Sequence, residues 1–76
     1  MNEFKIGGTV TISENEKYVI VDIIKIDDIT YYFSATRTKP IIPKIFRRID
    51  EGKNTFIEII EDKNIIKKVL EKVVKG

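Results

Sequence analysis

Lys17-Tyr18-Val19-Ile20-Val21-Asp22-Ile23-Ile24-Lys25-Ile26 is the stretch that sets the fold of this chain. Its residues are mostly β-branched, which favours an extended, pleated backbone. Alternation puts Val19, Val21 and Ile23 on one side and Tyr18, Ile20, Ile24 and Ile26 on the other, with Asp22 and Lys25 as interruptions. A strand apolar on both faces is expected to be long, central and strongly coiled. Asp27-Asp28 follows as a hairpin turn. Thr30 to Thr36 is the returning strand, with Tyr31, Phe33 and Ala35 alternating against Tyr32 and Ser34.

Working outward, Gly7-Gly8 is a bend that leads into a short strand over residues 9–12, and Ser13 to Glu16 is a polar turn. On the other side, Pro40 and Pro43 remove backbone donors and hold Ile41 and Ile42 extended in a loop from Arg37 to Pro43. Residues 44–50 and 55–60 are two further strands joined by Glu51-Gly52-Lys53-Asn54. Asp62 is placed to cap a helix over residues 63–74, whose Ile66, Leu70 and Val73 recur at helical spacing. Ile65, Val69 and Val74 widen that stripe, and lysines fill the wet side. Five strands and one amphipathic C-terminal helix predict a single α+β domain over residues 1–76, a small five-stranded antiparallel SH3-like barrel or a curled meander.

From Tyr18 to Val74 the chain resembles the YrzB-like small bacterial proteins, a family defined as a domain of unknown function. The resemblance is carried by Tyr18 to Ile24, the acidic turn before Tyr31-Tyr32, the strand Ile45-Phe46-Arg47-Arg48-Ile49, and Ile59-Ile60-Glu61-Asp62 leading into the helix. It differs from the family's usual acidity in being mildly basic. Because each match is a folding feature, the resemblance implies an architecture and carries over no catalytic or ligand-binding residue.

Composition narrows the chemistry. A chain of 76 residues has room for one core. It contains no His and no Cys, so there is no disulfide framework, no thiolate metal site and no usual general base. Ser13 and Ser34 are the only serines. The carboxylate pairs Asp27-Asp28 and Glu61-Asp62 read as a turn and a helix cap, because neighbouring residues of a strand diverge. Ser13-Glu14-Asn15-Glu16 lacks the spacing and glycine of a calcium loop. Gly7-Gly8 precedes a strand and has no Lys-Ser/Thr sequel, so it is not a phosphate loop. The expectation is no enzyme, no metal and no cofactor. With no apolar run as long as a signal core or a membrane span, a cytoplasmic location is expected. The Ile, Lys and Asn bias fits an AT-rich genome.

The charge pattern is more informative than the net charge of +2. Between Ile29 and Ile49 there is no acidic residue, yet Arg37, Lys39, Lys44, Arg47 and Arg48 fall there. Together with Ile41 and Ile42, these cations predict a binding surface. The favoured expectation is a non-catalytic protein-binding module, an accessory or inhibitory factor of bacterial, phage or mobile-element origin. One alternative is an SH3-like nucleic-acid-binding module in which Tyr31 or Tyr32 stacks on bases beside the same cations. The other is a self-associating structural protein, in which homodimerisation through the open edge would hide Ile41 and Ile42.

Overall fold

The computed structural model describes residues 3–13 and 16–75. Glu14 and Asn15 of the expected polar turn, Gly76, and the side chains of Ser13, Val74 and Lys75 lie outside what is described. The elements follow the alternation: β1 (Thr9–Ser13), β2 (Glu16–Ile26), β3 (Ile29–Thr36), β4 (Pro43–Glu51), β5 (Asn54–Ile59) and α1 (Lys63–Lys75). All neighbouring strands are antiparallel in the order β1-β2-β3-β4-β5. This meander curls into a nearly closed barrel with α1 packed on its outside, an α+β architecture.

Two apolar clusters hold it. Inside the curl, Val10, Ile20, Tyr32 and Phe46 are buried, joined by Phe4, Ile12, Ile57 and Ile59. Tyr32 stacks on Phe46 with ring centroids 5.1 Å apart, and Phe4 closes over Tyr32 at 5.5 Å. On the outer face, Val69 of α1 is buried among Ile24, Tyr31, Ile45 and Ile60, with Ile65, Ile66 and Val73 beside it. Asp62 caps the helix, its carboxylate accepting from the Asn64 N–H at 2.8 Å and the Ile65 N–H at 3.4 Å.

β2 departs from strict alternation. Its register against β3 shifts between Ile20 and Asp22, so Val21 is an extra residue at a bulge. Before the bulge the even-numbered side chains Tyr18 and Ile20 pair with Thr36 and Ser34 on the inner face. After it, Ile24 pairs with Tyr31 and Ile26 with Ile29 on the helix-covered face. One strand therefore feeds both cores. The expectation that both faces are covered along its whole length fails at Val21 and Ile23, which are exposed. β1 pairs with β2 as far as Thr9–Val19, Gly7 and Gly8 continue the contact to Ile20, and among the described residues no strand pairs with the far half of β2 on that side.

The turns are set by backbone conformation. Asp27 and Asp28 have φ of 50° and 65°, the left-handed pair that a two-residue hairpin with right-handed strand twist requires. At the N-terminus, Gly7 has φ of 86° and donates its N–H to the Ile20 carbonyl at 2.8 Å. A Cβ on Gly8 would overlap the Glu3 carbonyl, so only glycine lets the segment carrying Phe4 cross β1 this closely.

Buried Tyr18 donates its hydroxyl to Glu16 at 3.3 Å, and its pKa lies above the ordinary 10.0, first through burial and then through the Glu16 charge. A raised phenol pKa makes folding most favourable below the unfolded value and less so as pH rises through the folded one. Urea midpoints are expected to fall more steeply above about pH 10 in the wild type than in Tyr18→Phe. Parallel curves for the two proteins would contradict this.

Candidate functional site

The segment from Arg37 to Ile42 leaves β3 and re-enters the sheet at Pro43 in an ordered form. Thr36 ties it at the base. The Thr36 N–H donates to the Ile42 carbonyl at 3.1 Å, and the Thr36 hydroxyl accepts from the Ile42 N–H at 2.8 Å. The same hydroxyl donates across the loop to the Pro40 carbonyl at 3.1 Å, with the Thr38 carbonyl at 3.3 Å. The Lys39–Pro40 peptide bond is cis. Pinned this way, the loop holds Ile41 at 61% exposure and Ile42 at 46%.

Next to the loop is an apolar groove of about 380 Å³ between the start of β4 and α1, lined by Phe33, Pro43, Ile45, Ile66 and Leu70, with Lys44 and the acidic Glu61 also in its wall. Leu70, expected in the buried stripe of the helix, is instead exposed at the groove wall, because Val69 and Val73 take the positions over the sheet. Helical spacing puts Lys63 and Lys67 on the same stripe as Ile66 and Leu70, so cations flank the groove.

The predicted cations divide into two sets. Arg37 and Lys39 are exposed and Lys44 is half-buried, and none makes an ion pair among the described residues. Arg47 and Arg48 are already engaged. Adjacent on β4, they point to opposite faces. Arg47 pairs with Glu58 at 2.7 Å across β5, and Arg48 pairs with Asp50 at 3.0 Å while lying 4.7 Å from the centroid of the Phe4 ring. Both guanidinium pKa values are raised, chiefly by these hydrogen bonds. The Asp50 carboxyl is held below its usual range by Arg48 and then by the Thr55 hydroxyl.

The aromatic half of the predicted surface is inside the protein. Tyr31 is 5% and Tyr32 7% exposed, the first beneath α1 and the second stacked on Phe46. Neither ring offers a free face to a base. Ser34 is likewise buried and donates its hydroxyl to the Lys44 carbonyl at 2.9 Å. Among the described residues no three His, Cys, Asp or Glu side chains gather as a metal site, and no helix is long and apolar enough to cross a membrane.

Sequence reasoning singled out Ile41 and Ile42 but missed Thr36 and the groove. Thr36 had a local signal, a hydroxyl residue at a strand end before a Pro-containing loop. The groove had none, since it forms between distant segments. Thr36→Val keeps the shape and removes the hydroxyl ties. It is expected to leave the fold intact while the Ile42 amide exchanges with solvent faster by about tenfold, the equivalent of one lost hydrogen bond. Unchanged exchange would show that the hydroxyl does not hold the loop.

The fold and site together define a small α+β barrel that displays a tied apolar loop beside a cation-flanked groove. No protein-family model, curated protein or solved structure matches the chain. What the site can do must therefore be argued from its own chemistry.

Proposed function

We propose that the chain is a non-catalytic binding module that takes an acidic protein segment bearing aliphatic anchors. The observation that carries this reading is the tied loop, which holds Ile41 and Ile42 in water beside Arg37, Lys39 and Lys44, cations that make no ion pair among the described residues. Covering an isoleucine side chain fully is worth about 1.5–3 kcal/mol, so both residues reward contact. A loop already fixed by its own hydrogen bonds loses little further freedom on binding. Unpaired cations around an apolar centre select a partner with carboxylates around an apolar side chain.

The nucleic-acid alternative draws less support, because Arg47 and Arg48 diverge onto opposite faces and are each engaged by a carboxylate, while Tyr31 and Tyr32 are buried. With no His or Cys and with Ser34 occupied, the module acts by occupying its partner, which is how accessory and inhibitory factors work. The SH3-like reading of the barrel, the kinship with YrzB-like proteins, and a cytoplasmic setting belong to the same proposal. The long β2, which bends at a bulge and feeds both cores, supports the first of these.

The test is selection from a displayed library of random peptides, run beside a panel of single- and double-stranded DNA and RNA at low and physiological salt. Enriched peptides carrying Asp or Glu around Leu, Ile or Phe are expected, with nucleic acid unbound at physiological salt. Steeply salt-dependent nucleic-acid binding with no peptide enrichment would overturn the proposal.

A further inference from the structure

The two edges of the sheet are not alike. Along β1, the N-terminal segment lies against the outer edge, where the Glu3 N–H donates to the Thr9 carbonyl at 3.1 Å. Phe4 of the same segment shares the inner cluster with Ile57, but among the described residues no segment hydrogen-bonds to the outer edge of β5. Its register with β4 starts from the closing pair Glu51–Asn54 around Gly52-Lys53, and continues through Ile49–Phe56 and Arg47–Glu58. In an antiparallel hairpin of this kind the closing pair and every second pair after it exchange hydrogen bonds. The even-numbered residues therefore direct their amides at β4, and the Ile60 N–H, donating to the Ile45 carbonyl at 2.8 Å, keeps the same phase. The amides and carbonyls of Thr55, Ile57 and Ile59 point the other way. Among the described residues no hydrogen bond reaches them from that side.

Natural edge strands are usually protected by proline, a bulge or an uncompensated charge. β5 has none of these. Its run Thr55-Phe56-Ile57-Glu58-Ile59 carries one charge, which Arg47 neutralises at 2.7 Å, and Phe56 is 50% exposed.

We propose that β5 is a self-association edge, pairing antiparallel with β5 of a second copy about a two-fold axis at Ile57. In this register Thr55 faces Ile59 of the second copy and Ile57 faces its own equivalent, so every outward amide of the strand is satisfied. Phe56 faces the compensated Glu58, and the two Phe56 rings stand on a diagonal of about 7–8 Å, within reach of each other. The ends of the strand specify the same partner. Lys53 and Glu61 flank Ile57 at equal distances along the chain, and neither makes an ion pair within it among the described residues. An antiparallel second copy brings each Lys53 opposite a Glu61, at both ends of the interface, whereas a parallel copy would oppose like charges. This edge is separate from the Ile41–Ile42 loop and meets the groove only at Ile59 and Glu61, and the dimer does not depend on the proposed peptide contact.

Sedimentation of the full chain from micromolar to millimolar concentration tests it, with circular dichroism as a check on folding. The average mass is expected to rise from 8.8 kDa towards twice that value and stop there. Glu61→Lys should weaken the association about tenfold by opposing like charges at both ends. Lys53→Glu combined with Glu61→Lys should restore it. Thr55→Pro removes one outward N–H while leaving the backbone ladder to β4, at the loss of the hydroxyl bond to Asp50, which Thr55→Val removes alone as a control. Thr55→Pro should also weaken the association, whereas Ile41→Ser with Ile42→Ser should not. A constant monomer mass, a mass that climbs past the dimer, or association indifferent to Glu61→Lys would overturn the proposal.

Discussion

Replacing Phe46 by alanine is expected to bring the chain close to unfolding at room temperature. Phe46 is fully buried, stacks on Tyr32 and meets Phe4 edge-on at 6.4 Å, so its ring is the centre of the inner cluster. Truncating a buried phenylalanine costs about 3–5 kcal/mol, part lost transfer energy and part the cavity left behind. A chain of 76 residues has a total stability of about 4–11 kcal/mol at typical values per residue. The loss is thus a large share of the whole. In urea the midpoint should fall by about 3 M or more, for a slope near 1 kcal/mol/M. Phe56→Ala is the control, since a half-exposed ring on the edge strand should shift stability by only about 0.5 kcal/mol. Similar shifts for the two variants would mean that the inner cluster does not hold the barrel.

The second large effect is on binding. Ile41→Ser combined with Ile42→Ser should lower affinity for a selected acidic, aliphatic peptide by at least about 100-fold, since central anchors of an interface are each worth about 2 kcal/mol or more. Stability should hardly change, because both side chains face solvent. Charge reversal at Arg47 and Arg48 should leave peptide affinity within about threefold, as both are engaged elsewhere. Raised salt should weaken the complex only modestly. An affinity that survives the double serine variant but falls with Arg47 and Arg48 would move the contact to β4.

The alternation of β-branched and polar residues was enough to place the strands, since side-chain direction in a strand is fixed by position alone. The helix was equally readable from its stripe and from Asp62. Properties that belong to pairs of segments were not. The bulge at Val21 is a shift of β2 relative to β3, and no feature within Lys17 to Ile26 distinguishes it from unbroken alternation. This is why Val21 and Ile23 were expected in a core and lie in solvent.

Burial of Tyr31 and Tyr32 follows from the same cause. Adjacent residues on β3 face opposite ways, and each face carries a core, so both aromatic rings are consumed. Part of the site was within reach. Taking Gly52-Lys53 as a two-residue turn pairs Glu51 with Asn54, which sets Arg47 opposite Glu58, and Asp50 shares a face with Arg48 by strand period alone. Both arginines could have been removed from the basic surface on that argument, leaving Arg37, Lys39 and Lys44 around Ile41 and Ile42.

If the tied loop and its groove make the contact, a map of amide shifts during titration with a library-selected peptide will show it. Saturable shifts are predicted at Thr36 to Ile45, at Ile59 to Glu61 and along the Ile66 to Leu70 edge of α1, with Arg47, Arg48 and Thr55 to Ile57 unmoved. Shifts centred on Arg47 and Arg48 instead, with the loop silent, would contradict the account.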